Sequence, residues 1–167
     1  SGGVAGGSIG GSFELVNQNG QTVTDSDVLD RPALVYFGYT FCPDVCPMDV
    51  GRNSVAVDIL SDTGVTIRPV FITIDPKRDT VEYLADFVAN NHPNLVGLTG
   101  TEEQIAKVAR AYKVYYKKQP GDDEYYLMDH SSFTYLMMPE FGFVDFFRSD
   151  LSPQTVADRV ACVIKAS

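Results

Sequence analysis

The sequence has no tryptophan, two histidines and three cysteines, and sets 13 Lys and Arg against 22 Asp and Glu. Each shortage excludes something. Three cysteines are too few for a disulfide scaffold, and an odd count leaves one over if two act together. A net charge of −9 withholds the clustered cations that a phosphate backbone requires, so nucleic acid is not an expected partner. An acidic surface suits a cation or a basic protein face better. No apolar run approaches the roughly eighteen residues of a membrane-spanning helix. The chain starts at Ser1, so a signal peptide or membrane anchor is expected to lie outside it.

With 167 residues, 44% of them hydrophobic, the chain can build one compact domain. Residues 1–11, SGGVAGGSIGG, read as a flexible linker or an expression scar, because ordering so many glycines costs entropy. Residues 12–167 form the expected domain. Asn19-Gly20 between two strand-like runs signals a β-hairpin. Residues 32–39 and 68–74 read as buried strands, with a helix over residues 48–60 between them, weakened by Gly51, in a parallel right-handed crossover. Val81, Leu84, Ala85 and Val88 share one helical face, as do Ile105, Val108, Ala109 and Tyr112, the second helix opening on a capping box of Thr101 and Gln104. Residues 133–138 and 143–147 flank PEFG and form a hairpin, and Ser152-Pro153 opens a last helix with Val156, Val160, Val163 and Ile164 inward. That order is the order of an α/β thioredoxin-like sandwich with an N-terminal β-hairpin and a mid-chain loop insertion.

The stretch YTFCPDVCPM places Cys42 and Cys46 just beyond the carboxyl end of a central strand, the edge where open α/β sheets build their sites. Pro47 pushes Cys46 out of helical geometry, so both cysteines are expected in a turn ahead of a helix that starts near Pro47, where the helix N-terminus favours thiolate. A spacing of three residues between them still permits a disulfide, and it also lets both sulfurs converge on one soft ion such as Cu(I) or Zn. Two sulfurs rarely complete a metal site. His130 follows a long loop over residues 113–129 and opens a strand, which makes it a candidate third ligand. His92, at a helix end in NNHPN, reads as a solvated helix-terminal residue. Met128, Met137 and Met138 read as packing, and Cys162, off the apolar stripe of its helix, as a rim or surface thiol.

Three segments in order, FGYTFCPDVCP, FITIDPKRDT and DHSSFTYLMMPE with FGFVDFF after it, resemble the Sco/SenC family of membrane-anchored copper proteins. The resemblance runs over nearly the whole chain beyond the linker. It implies copper, as Cu(I) or Cu(II), on Cys42, Cys46 and His130. It implies delivery to the copper-bearing subunit of cytochrome c oxidase, with another copper chaperone as donor. The location it implies is the periplasmic side of a bacterial inner membrane or the mitochondrial intermembrane space. Asp75 is then expected behind the ligands or at a docking surface, with a plain turn before Pro76 as the alternative. Asp129, next to the histidine, is a candidate to orient a neighbouring group or meet a partner, without touching the metal, since neighbours on a strand face opposite ways. The DHSS segment lacks the proline that ordinary thioredoxins place there.

The chain is read first as a metallochaperone. The alternatives are a thiol–disulfide oxidoreductase using Cys42 and Cys46 as its redox pair, or a copper or redox sensor signalling through the loop with Tyr115, Tyr116, Tyr125 and Tyr126. A peroxidase is disfavoured because no arginine is evident beside the cysteines.

Overall fold

A computed structural model describes residues 9–42 and 45–167. Its element order is β1 Glu14–Asn17, β2 Thr22–Thr24, α1 Asp25–Val28, β3 Ala33–Gly38, α2 Val45–Asp62, β4 Arg68–Thr73 and α3 Val81–Asn91, followed by β5 Val96–Thr99, α4 Glu102–Ala111, β6 Tyr116–Lys118, β7 Met128–His130, β8 Thr134–Met138, β9 Gly142–Phe147 and α5 Pro153–Ala166. Seven strands form one sheet in the order β2-β1-β5-β4-β3-β8-β9, and β6 pairs with β7 in a separate ribbon. β3, β4 and β5 run parallel, while β1 on one flank and β8 and β9 on the other are antiparallel. This is the α/β sandwich with an N-terminal hairpin that the sequence announces.

β3 sits in the middle of the sheet, and all six of its residues are buried, as expected for a strand covered on both faces. Apolar residues on one side of the sheet join α2 and α5 around Leu34, Ala56, Leu60, Leu136, Phe147 and Val160. On the other cluster, Leu15, Phe37, Phe71, Ile105, Val108 and Tyr112 meet.

β5 is absent from the sequence reading. It is only four residues long and sits between two well-marked helices, so its short apolar run has no room to display a period. It matters, because it links the N-terminal hairpin to the parallel core. The mid-chain insertion also differs from a plain loop: Tyr116↔His130, Lys117↔Asp129 and Lys118↔Met128 pair across the ribbon. His130 therefore ends a short strand instead of opening the long one, and β8 begins at Thr134.

Of residues 1–11, the first eight lie outside the described residues, as do Pro43 and Asp44 of the cysteine motif. Gly10 donates its N–H to the Ala111 carbonyl at 2.8 Å.

The helix after the cysteines departs from expectation in its start. α2 begins at Val45, so Cys46 and Pro47 both lie in its first turn. Proline is tolerated there because first-turn N–H groups have no intrahelical acceptor, so none is lost. The mixed pattern of α2 also has a cause: Val50, Ala56, Val57 and Leu60 are buried together with Asp49, Arg52, Asn53 and Ser54, so polar residues stand where a two-sided contact with the sheet and α5 would otherwise read as apolar.

Candidate metal centre

Three segments meet at the carboxyl edge of the sheet. The turn after β3 brings Cys42, whose N–H donates to the Tyr39 carbonyl at 3.1 Å. The first turn of α2 brings Cys46, and the β6–β7 ribbon brings His130 from the far end of the insertion. Their ligand atoms, two Sγ and one imidazole nitrogen, all lie within 4.8 Å of one another. Cys42 is 8% exposed, Cys46 is fully buried and His130 is half-buried.

The helix N-terminus contributes in a specific way. Cys46 N–H points at Cys42 Sγ at 3.4 Å, so the sulfur of Cys42 accepts one of the first-turn donors that the helix leaves unpaired. Cys46 Sγ stands 3.1 Å from His130 Nε2, and His130 Nδ1 lies 2.8 Å from the Ser131 carbonyl. A carbonyl can only accept, so Nδ1 carries a proton, and Nε2 is the ring atom turned to the sulfur. Tyr39 and Tyr36 flank the ring edge-on at centroid distances of 5.8 and 6.4 Å and fix its plane.

The helix end is expected to favour thiolate at the cysteine pair; its N–H reaches Cys42 Sγ, while opposing effects act at Cys46. Its shared hydrogen bond with Cys42, and then its burial, push the Cys46 thiol well above the ordinary cysteine range. A proton between two close sulfurs is hard to remove while no cation replaces it. For His130 burial works against the charged ring, but the hydrogen bonds to Cys42 and to the Ser131 carbonyl, with the charges of Cys42 and Asp49, outweigh it and raise its pKa.

Asp75 is buried, and its carboxylate accepts from Tyr126 Oη at 2.7 Å and Arg78 Nε at 2.6 Å. It thus anchors the insertion that carries His130 to the end of β4. Asp129 is exposed and pairs with Gln119 across the ribbon, facing away from the ligand atoms. The expected absence of an arginine is also corrected: the Arg78 guanidinium lies 4.8 Å from the Phe41 ring centroid and 3.5 Å from that of Tyr126. It is engaged by Asp75, and its distance from the motif in sequence hid it.

His92 is not solvated. It is 6% exposed, with Nε2 2.8 Å from Asp58 Oδ1 and Nδ1 accepting the Asn94 N–H at 3.0 Å. The helix-end position is as read, but the chain folds back over it. Met137 and Met138 are buried, Met128 packs against the core, and Cys162 is exposed on α5.

Sequence reasoning missed the groups that hold the site in place. Asp79, fully buried, accepts the Thr40 N–H at 2.9 Å, the Thr40 hydroxyl, and the Thr73 hydroxyl at 2.6 Å, and so clamps the turn leading to Cys42 onto β4. Ser149 Oγ lies 2.8 Å from Asp49 Oδ2 and 3.1 Å from the Ser132 carbonyl, tying the start of α2 to the segment after His130. Arg52 caps the Arg148 and Leu151 carbonyls at 2.8 and 2.9 Å. The one signal available was an acid and an amide at helical spacing in α2 where apolar residues were due.

A profile of the SCO1/SenC family matches residues 3–165. The chain is 50% identical over 165 residues to Protein SenC of Rhodobacter capsulatus, covering 98% of this chain and 74% of that one. It is 42% identical to the mitochondrial Protein SCO1 homolog 1 of Arabidopsis thaliana over 94% of this chain, but spans only 47% of the plant protein. The crystal structure of Arabidopsis thaliana ScoI with copper bound superposes with a TM-score of 0.91 at 42% identity, covering 95% of this chain and 99% of that one.

Proposed function

Because the chain belongs to the SCO1/SenC family, we propose that it is a copper metallochaperone that holds one copper ion between Cys42 Sγ, Cys46 Sγ and His130 Nε2 and passes it to the copper-bearing subunit of cytochrome c oxidase. One observation carries the reading: two sulfurs and an imidazole nitrogen converge within 4.8 Å from three separate segments. Soft thiolates select Cu(I), while the imidazole, with one further donor, accommodates Cu(II) in a tetragonal arrangement. An arriving cation supplies the charge that the metal-free thiols lack, so loading displaces their protons. A second copper chaperone serves as donor. The domain works on the periplasmic side of a bacterial inner membrane or in the mitochondrial intermembrane space, tethered by a segment outside this sequence. No helix among the described residues is long and apolar enough to cross a membrane.

Titration of the reduced protein with Cu(I) or Cu(II), followed by absorption and electron paramagnetic resonance, tests the assignment. One copper per chain is expected. Cys42→Ser, Cys46→Ser and His130→Ala should each weaken binding by more than the roughly 10- to 100-fold typical of losing a group behind a ligand. Unchanged affinity in His130→Ala removes it from the site.

The closeness of the Cys42 and Cys46 sulfurs, within 4.8 Å of each other, supports a second role, because two such sulfurs can close a disulfide. In that role the dithiol reduces the cysteines of the oxidase copper site before metal arrives. Reduction of a disulfide in the copper-free partner no faster than by a small thiol rules it out.

A further inference from the structure

The two strands β6 and β7 that bring His130 stand apart from the seven-stranded sheet. An isolated two-stranded ribbon is marginal in water, so its place over the cysteine turn has to come from side chains. Tyr116 and Met128 pack on the core, the Met128 N–H donates to Tyr39 Oη at 3.1 Å, and Tyr126 Oη donates to Asp75 at 2.7 Å.

Arg78 joins the two sides. It lies in the loop between β4 and α3 with its side chain 10% exposed, Nε donating to Asp75 Oδ2 at 2.6 Å and Nη1 to the Glu124 carbonyl at 3.3 Å. Its guanidinium carbon is 3.5 Å from the ring centroid of Tyr126, in the insertion, and 4.8 and 5.6 Å from those of Phe41 and Tyr39, in the turn that leads to Cys42. All three rings fall within the range of about 6 Å in which a cation is attracted to an aromatic face, and a planar guanidinium stacks where an ammonium cannot. Tyr39 in turn meets the His130 ring edge-on at 5.8 Å. One side chain from a third segment thus holds the insertion that carries His130 and the turn that carries Cys42.

We propose that Arg78 is a positioning residue that clasps the β6–β7 ribbon to the cysteine turn and thereby sets how often His130 swings out of reach of Cys42 and Cys46. What the clasp does to copper rests on the metallochaperone reading. With the ribbon closed a bound ion keeps its imidazole, and each opening leaves it on two sulfurs, accessible to an incoming donor. The rate of copper release then follows the opening equilibrium of the ribbon. The opening is local, because the sheet beneath keeps its own ladders between β3, β4 and β8.

Two variants and two measurements test this. Asp75→Asn with Arg78→Met removes both charges together, so neither is left buried alone, and Asn still accepts the Tyr126 hydroxyl. Arg78→Lys keeps a cation beside Asp75 but loses the planar stack. In the metal-free protein, amide hydrogen exchange at residues 116–118 and 128–130 should be on the order of tenfold faster in the double variant, less so in Arg78→Lys, and unchanged in β3 and β8. Transfer of Cu(I) from the loaded protein to the chelator bathocuproine disulfonate should speed up by the same factor as the ribbon amides. A merely structural residue would loosen β3 and β8 as much as the ribbon. Ribbon exchange at the wild-type rate in both variants, or acceleration shared equally by β3 and β8, overturns the clasp. Faster ribbon exchange with copper transfer unchanged overturns its control of His130. A wild type that takes up no Cu(I), with the ribbon response intact, overturns the chaperone reading and leaves the clasp standing.

Discussion

Replacing Gly38 by alanine should damage stability and metal binding together. The added Cβ would lie 2.9 Å from Cys46 Sγ, 2.9 Å from Tyr36 Cε1 and 3.1 Å from Phe71 Cε2, where ordinary contact starts near 3.4 Å. The closest two must retreat by about half an ångström, and none has room, since Cys46 and Phe71 are fully buried and Tyr36 is 1% exposed. Overpacking of this kind costs typically about 1–3 kcal/mol. For a domain of this size each kcal/mol lowers Tm by about 2–4 °C. The consequence for the site is sharper. A metal–ligand distance tolerates roughly 0.2 Å, so a half-ångström displacement of Cys46 Sγ removes it from bonding range unless α2 shifts as a unit. Urea denaturation of the metal-free Gly38→Ala protein measures the first effect, and copper titration of the folded protein the second. Wild-type stability together with wild-type copper affinity would refute the claim that glycine is required where Cys46 packs onto β3.

The remaining expectations use other parts of the site. Asp79→Ala strands the buried Thr73 hydroxyl and the half-buried Thr40 N–H and should cost about 1–3 kcal/mol, whereas Asp79→Asn keeps an acceptor and should cost less, as read by chemical denaturation. Burial holds the Asp79 carboxyl above the ordinary range, against the pull of the Thr40 and Thr73 hydrogen bonds, so folded protein binds its proton more tightly than unfolded chain does. The stability this adds is complete below the unfolded value and is lost as pH rises through the raised folded value. The stability of wild type relative to Asp79→Asn should therefore fall across that window, and a flat difference disproves the shift. Disulfide formation and copper binding should exclude each other at Cys42 and Cys46, because a disulfide sets the sulfurs about 2.05 Å apart and removes both thiolates. Peroxide-treated protein that has lost two of its three thiols should bind copper far more weakly until reductant is added; retention of copper with the same spectrum places the metal elsewhere. Cys162→Ser should leave copper stoichiometry and affinity unchanged while abolishing disulfide-linked dimers in oxidised samples on a non-reducing gel.

The parts of the molecule legible in sequence are those where one local rule decides. Asn19-Gly20 demanded a hairpin, Thr101 and Gln104 form their capping box, and Ser152 caps α5. The apolar run after Pro32 became the central strand, and with it the position of Cys42 at the sheet edge followed. Illegible parts depend on partners far apart in the chain. Asp79 carries no signal of its role until β3 and β4 lie side by side and Thr40 and Thr73 reach it. Arg78 and Tyr126 declare themselves only when the insertion folds back over Asp75. A helix end is visible in sequence, whereas the Cys42 hydrogen bond that opposes it at Cys46 is a matter of packing. The cysteine pair and His130 were recognisable from spacing and resemblance, but their convergence depends on a ribbon of three residue pairs whose strands were read as loop.

The three proposed ligands differ in their access to water, and that difference gives cargo exchange a direction. Cys46 lies wholly beneath α2 and β3, Cys42 is barely open, and His130 comes from a ribbon at the surface. Among the described residues, the His130 and Cys42 side is the more open one for an incoming donor from another protein. If these three side chains hold copper as proposed, displacement of the imidazole would come first and release by Cys46 last. Loading runs the same sequence backwards, with the buried sulfur as the first lasting hold. On the chaperone reading, copper would then pass from one set of donors to the next without travelling free in solution.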